Sequence, residues 1–138
     1  MGSNIHGYLE LLEYPNTDYE RWEQSYPIQY DRDYYFYGVI ADVRNYLELE
    51  PISKPRGLPK DVSRDTKYDS DQMGGDGHSH SYLYANELRE YNWKQKIPDG
   101  RMLIDAMNTT HKALLLLVNF FAHEYGDDGV RIVFWFDN

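Results

Sequence analysis

The sequence of 138 residues contains no cysteine. Disulfide frameworks, thiolate zinc sites and cysteine nucleophiles are therefore excluded. A chain of this length fits a single domain over 1–138, which can bury a core without such cross-links. The composition is compatible with a reducing cytoplasm.

Positive charge is scarce, with 14 Lys and Arg against 23 Asp and Glu and a formal net charge of −9. Such a chain has no general attraction to DNA, RNA or anionic membranes, so polymeric nucleic acid is not an expected partner. A local group of arginines could still hold a small phosphate compound, because charge-assisted pairs act at close range. The same acidity would suit a protein that mimics DNA.

Long apolar runs are missing as well. The longest, 113–118, has six residues, whereas a membrane-spanning helix needs about 20. The first residues lack a basic segment followed by an apolar one, so we predict neither secretion nor membrane association. The sequence also lacks a P-loop, a dinucleotide-binding glycine motif, a nucleophile elbow, an HExxH motif and an EF-hand, which leaves the corresponding enzyme classes without support.

Hydrophobic periodicity predicts an α+β fold. Apolar residues alternate on one face of a strand at 4–14 and again at 130–136. Other strands are expected within 18–30 and over 79–84, and helices over 33–44, 85–91 and 101–125. This order predicts an antiparallel sheet with the long C-terminal helix packed on one face and with the first and last strands paired at its centre. Ser, Asp and Gly predict a mobile loop at about 64–77.

The most distinctive local motif is Asp76-Gly-His-Ser-His-Ser81. Two histidines at positions i and i+2 of a strand share a face, so His78 and His80 could bind one divalent transition metal. Asp76 or His6 could supply a further ligand. In the alternative interpretation the motif only begins a strand, with one ring bonded to backbone and the other in water.

Two other histidines have simpler interpretations. His6 shares a strand face with Glu10, which either orients the imidazole or forms a solvated pair with it. His111 lies at the edge of the apolar face of the long helix, where we expect a half-buried histidine with satisfied hydrogen bonds.

The arginines are candidates for anion recognition, namely Arg32, Arg44, Arg56, Arg64 and Arg131. Arg56 lies in a stiff loop between a proline and a glycine, where backbone can approach a ligand. Arg131, Trp135 and Asp137 share one face of the last strand, so a cation, an aromatic ring and an acceptor could hold a nucleobase. Surface salt bridges and an ordinary core strand are the alternatives.

Five segments together resemble a family of small, functionally unassigned proteins of tailed bacteriophages and prophages. They are Met1-Gly-Ser-Asn-Ile-His6 with Glu10, Arg32–Phe36 through Val43-Arg-Asn45, Ile52–Pro59 with Asp61 and Ser63, Asp76–Leu83, and Val130–Asn138. The resemblance spans most of the chain and favours Met1-Gly2-Ser3 as native sequence. The family pattern has Cys-Asp in place of Ser3-Asn4, which argues against a thiolate or carboxylate ligand there. The resemblance implies a phage accessory protein of the host bacterial cytoplasm, a class that often counters host defence.

Three functions fit these observations. The leading hypothesis is a module that binds a small anionic, nucleotide-like ligand, such as a host defence signal, through Arg56, His78, His80, Arg131, Trp135 and Asp137. The second is a metal-dependent, phosphoesterase-like hydrolase that uses His78, His80, Asp76 and His6. The third is an acidic inhibitor that blocks a host protein by surface contact. The sequence leaves open whether the protein is an enzyme and whether it forms a homo-oligomer.

Overall fold

Four antiparallel strands form one sheet in the computed structural model, which describes residues 2–138. The strands are β1 (Ile5–Glu13), β2 (Arg21–Pro27), β3 (Gly77–Tyr84) and β4 (Val130–Asp137), in the spatial order β2-β1-β4-β3. The first and last strands pair at the centre of the sheet, from Ile5 opposite Phe136 to Leu11 opposite Val130. The predicted α+β class with an antiparallel sheet is therefore confirmed. Met1, which begins the first segment of the resemblance, lies outside the described residues.

The helices are α1 (Tyr34–Ala41), α2 (Arg64–Met73), α3 (Ala85–Glu90), α4 (Leu103–Ala106) and α5 (Thr109–Tyr125). The core lies between one face of the sheet and helices α1, α3 and α5. Ile132, Phe134 and Phe136 of β4 pack there with buried helix residues such as Ile40 and Val118. The opposite face, which we call the outer face, carries α2 near β2 and β4.

The helix predicted over 101–125 is interrupted. Met107 and Asn108 are extended, with ψ of 158° and 145°, so the short α4 ends before α5 begins. The backbone N–H of Asn108 donates to the Asp33 carboxylate at 2.8 Å, and its side-chain amide donates to the Arg32 carbonyl. These long-range contacts stabilise the break, and helical periodicity does not reveal them.

Residues 64–73 form helix α2, so the loop predicted there is wrong. The Ser63 hydroxyl caps the helix by accepting a hydrogen bond from the Thr66 backbone N–H. The buried residues of α2 are Thr66 and Ser70, which are polar. Their burial therefore gives no apolar pattern in the sequence. One 3₁₀ turn, Gly74–Asp76, then leads into β3.

A buried ion network on the outer face ties several elements together. Arg131 and Glu10 are both fully buried, with 2.7 Å between Nη2 and Oε1. Arg131 also pairs with Asp61 at 2.8 Å, and its guanidinium lies 3.8 Å from the ring centroid of Trp22. Glu10 accepts a further hydrogen bond from the Ser63 backbone N–H. The network thus joins β1, β2 and β4 to the start of α2.

The alkaline stability of the fold should depend on Tyr37. Its buried hydroxyl accepts a hydrogen bond from the Ile5 backbone N–H and donates one to the Asp31 carbonyl. Burial raises the pKa of Tyr37 to about 12 from its ordinary value near 10. A group whose pKa is higher in the folded state than in the unfolded state contributes its full stabilisation at pH values below its unfolded-state pKa. This contribution is lost as the pH rises through the folded-state pKa. We therefore expect the free energy of unfolding to fall between about pH 10 and about pH 12.

Urea unfolding across this pH range measures the effect. Tyr37→Phe should make the decline shallower, whereas Tyr19→Phe, at a tyrosine that is 73% exposed, should leave it unchanged. Equal declines in the two variants would show that Tyr37 is not the responsible group.

Candidate functional site

Residues that the sequence singled out lie side by side on the outer face. His6 of β1, Trp135 of β4 and His80 of β3 occupy neighbouring strands, and their rings stack. The centroid of Trp135 lies 6.3 Å from that of His6 and 5.9 Å from that of His80, with interplanar angles of 16° and 18°. His6 Nε2 lies 2.9 Å from Asp137 Oδ2. Sheet pairing therefore gathers four of the predicted site residues.

The two histidines of the His-x-His motif do not share a face. The β3–β4 pairing is irregular between His78 and Ser81, and Ser79 has a φ of 56°. His78 consequently stacks on Phe136, a core residue, at 6.2 Å, while His80 stacks on Trp135. The period of two holds only where a strand is regular, and a bulge breaks it.

The predicted metal ligands do not converge. Among residues 2–138, no group of three or more His, Asp or Glu side chains is arranged to hold a metal ion. His6 is paired with Asp137, and His78 and His80 contact different faces of the sheet. Burial and the neighbouring His78 lower the pKa of His80, so its imidazole is neutral at neutral pH. Asp76 lies in the turn before β3.

Arg56 and Arg131, which we expected to bind an anion, are both engaged with carboxylates. Arg56 makes a bidentate pair with Glu87 and also donates to the Tyr82 carbonyl. Its hydrogen bonds lower the pKa of Glu87. Arg131 belongs to the buried network with Glu10. Because these positive charges are neutralised within the fold, neither residue attracts an external anion strongly.

Other arginines line a cleft of about 310 Å³ between the start of α1, the loop after α1 and the start of α5. We call it the arginine–tyrosine cleft and define it by Arg32, Tyr34, Tyr35, Arg44 and Tyr46. Its volume lies at the lower end of the range typical of small-molecule sites, about 300–1,000 Å³.

Aromatic rings surround one of these arginines. The Arg44 guanidinium lies 5.7 Å from the ring centroid of Tyr34 and donates to the Tyr46 hydroxyl at 3.2 Å. The rings of Tyr34 and Tyr46 meet edge to face at 5.9 Å. Tyr46 is 69% exposed. A ligand can therefore meet a cation and an aromatic ring at the same place.

The charge available in the cleft is positive. Arg32 is exposed and donates from Nε to Asn4 Oδ1 at 3.0 Å, and no carboxylate within residues 2–138 pairs with it. Asp33, the carboxylate of the lining, is 3% exposed. It already binds the backbone N–H groups of Phe36 and Asn108 and the Nδ1 of His111.

The loop that carries Arg44 has a demanding backbone. Asp42, Arg44 and Glu48 all have φ between 49° and 57°, a conformation that costs free energy in residues other than glycine. The Asn45 side chain holds this loop through hydrogen bonds to Asp42 and to the backbone at the loop's end. A Cβ at Gly38 would lie 2.8 Å from Asn45 Oδ1. Gly38 therefore allows α1 to pack against the loop, which explains a glycine inside a helix.

Residues 3–6 link the cleft to the stacked rings. Asn4 accepts from Arg32, and its backbone N–H donates to Asp137 Oδ1 at 2.9 Å. Burial acts to raise the pKa of Asp137, but hydrogen bonds from His6 and Asn4 outweigh it and lower that pKa. The Ser3 N–H donates to the Tyr34 hydroxyl at 3.1 Å. The first segment of the resemblance thus contacts both places.

Sequence reasoning missed the tyrosines of the cleft. Their signal was the recurrence of arginine with tyrosine on both sides of α1, in Arg32-Asp-Tyr-Tyr35 and Arg44-Asn-Tyr46. A larger groove of about 690 Å³ between β2 and the start of α2 suits an anion less well. Its two arginines face four carboxylates, those of Glu20, Glu23, Asp61 and Asp65.

Comparison with known proteins leaves the function to be inferred from geometry, since no protein-family model, curated protein or solved structure matches the chain. None of the helices within residues 2–138 is long and apolar enough to span a membrane.

Proposed function

We propose that the protein binds a small anionic molecule with a planar ring, such as a nucleotide, in the arginine–tyrosine cleft. The observation that carries this proposal is the lining of the cleft, which contains two arginines. Its carboxylate, Asp33, is buried and already hydrogen-bonded. Guanidinium forks match phosphate oxygens, and tyrosine rings stack on nucleobases. The rings of Tyr34 and Tyr46 beside Arg44 supply this combination.

The net charge of −9 favours a small ligand over a polymer. A long polyanion would extend beyond the cleft over a chain that has an excess of acidic residues, whereas a small anion meets mainly the nearby guanidinium groups. Salt screens exposed charges beyond about 8 Å at physiological ionic strength. The local arginines therefore outweigh the distant carboxylates for a small ligand.

The resemblance to phage accessory proteins gives this site a biological context. In a host bacterial cytoplasm, the protein would sequester a nucleotide-like defence signal by stoichiometric binding. This proposal needs no catalytic step. The hypothesis of an acidic inhibitor that blocks a host protein stays a prediction.

Arg32→Gln should weaken nucleotide binding by about 10- to 100-fold, because one charge-assisted pair with phosphate contributes about 1.5–3 kcal/mol. Isothermal titration calorimetry with a panel of mono- and dinucleotides measures the affinity. Arg64→Gln is the matched control, since Arg64 has a side chain that is 93% exposed and lies outside the cleft. It should bind like the unmodified protein.

Tyr46→Ala separates stacking from charge. It should weaken binding of nucleotides but not of inorganic phosphate, because phosphate has no ring to stack. The proposal is wrong if the unmodified protein binds no nucleotide at millimolar concentration. It is also wrong if Arg32→Gln and Arg64→Gln bind every nucleotide equally well.

A further inference from the structure

A further cavity, of about 240 Å³, lies on the outer face beside the stacked rings of His6 and Trp135. It is enclosed by β1, by the segment that follows β2 and by the C-terminal half of α2. The rings of His6, Tyr8, Tyr30 and Trp135 line it, together with the carboxylate of Asp69. We call it the aromatic cavity.

The electrostatic character of the aromatic cavity is opposite to that of the cleft. No lysine or arginine belongs to its lining among the described residues, and Asp69 is its carboxylate. Burial and a hydrogen bond to Asp69 raise the pKa of Tyr8 to about 12, so its hydroxyl remains a neutral donor. Asp69 also accepts from Gln24 at 3.1 Å. A carboxylate has about four acceptor sites, so it can accept a ligand donor in addition.

Trp135 lines this cavity with its ring, while its indole N–H is buried. The residue is 2% exposed, and its buried Nε1 has no hydrogen-bond partner within residues 2–138. Because this Nε1 atom is out of reach of solvent, a molecule in the cavity meets the ring of Trp135 and not its N–H.

We propose that the aromatic cavity binds a small organic ammonium ion that carries a hydroxyl group, of the size of choline. Aromatic rings attract ammonium groups through the negative potential of their faces. Asp69 supplies the opposite charge and an acceptor for the hydroxyl group. The volume lies just below the typical range for drug-sized ligands, which fits a small ion.

Choline and its neutral carbon isostere, 3,3-dimethylbutan-1-ol (here dimethylbutanol), make a matched pair of probes for the full-length protein. Choline should bind and should shift the Trp135 indole N–H resonance in heteronuclear NMR spectra. Dimethylbutanol has the same shape without the charge, so it should bind at least about tenfold more weakly. Each titration uses the tryptophan resonances as the readout, with Trp22 and Trp93 as internal references.

Variants of the lining identify the site. Tyr30→Ala, at a tyrosine that is 67% exposed, and Asp69→Asn should each weaken choline binding at least about fivefold. Tyr68→Ala and Asp65→Asn are the matched controls, because these exposed residues also lie on α2 but outside the lining. Both controls should bind choline like the unmodified protein.

Three outcomes would overturn this inference: no shift of the Trp135 resonance with choline, equal affinity for the neutral isostere, or equal losses in the lining and control variants. The inference does not rest on the proposed function of the cleft. Arg32→Gln should leave choline binding unchanged, and Tyr30→Ala should leave nucleotide binding unchanged. Failure at one site is therefore distinguishable from failure at the other.

Discussion

Glu10→Ala is expected to destabilise the fold by about 3–5 kcal/mol, because it leaves a buried charge without its partner. Glu10 and Arg131 are fully buried, whereas the remaining carboxylate of the network, Asp61, has a side chain that is 67% exposed. The substitution also removes the acceptor of the Ser63 N–H. Urea unfolding at neutral pH, followed by tryptophan fluorescence, measures the loss.

A surface ion pair is the matched control for this buried one. Glu23 pairs with Arg21 at 2.8 Å, and both side chains are about half exposed. Glu23→Ala should cost only about 0–1 kcal/mol, since water already solvates both charges. Equal losses in the two variants would contradict the importance that we assign to the buried network.

A double variant separates charge from shape. Glu10→Leu combined with Arg131→Met leaves neither charged partner in the interior. It should therefore be more stable than Glu10→Ala, as apolar replacement of a buried ion pair is often neutral or stabilising. A double variant less stable than Glu10→Ala would show that the network contributes through its packing against Trp22 and not through charge pairing.

The central strands were predictable because their signal is local. Ile132, Phe134 and Phe136 alternate with Arg131, Val133 and Trp135, and this period of two already identifies the core face. Helix α2 escaped prediction because its buried residues, Thr66 and Ser70, are polar. Their burial follows from the fold around them, as in the hydrogen bond from Gln24 to Thr66. Apolar periodicity carries no such information.

The residues of the candidate site could be named from the sequence, but the side chains that pair with them could not. The shared face of Arg131, Trp135 and Asp137 follows from strand geometry. However, Glu10, which neutralises Arg131, lies 121 positions away in the sequence. Glu87, which neutralises Arg56, is 31 positions away. Because the sequence shows charges without their partners, it did not indicate that Arg56 and Arg131 are paired with carboxylates in the fold.

Asp33 joins the cleft to the core through three contacts. It caps α1 by accepting from the Phe36 N–H at 3.2 Å, and it accepts from the Asn108 N–H at 2.8 Å. It also lies 3.0 Å from Nδ1 of His111, whose Nε2 faces the Gln29 carbonyl. Both ring nitrogens of the buried His111 therefore face oxygen atoms that can accept a hydrogen bond.

Asp33→Ala should consequently cost about 3–4 kcal/mol, of which the lost cap accounts for about 1 kcal/mol and the unpaired partners for the rest. Asp33→Ser keeps a capping hydroxyl but cannot replace both other contacts, so its loss should be intermediate. Asp31→Ala, at an exposed carboxylate that accepts from Thr110, is the control and should cost less than about 1 kcal/mol. Urea unfolding of the three variants gives the ranking. If Asp33→Ala is no less stable than Asp31→Ala, Asp33 does not hold α1, α5 and His111 together.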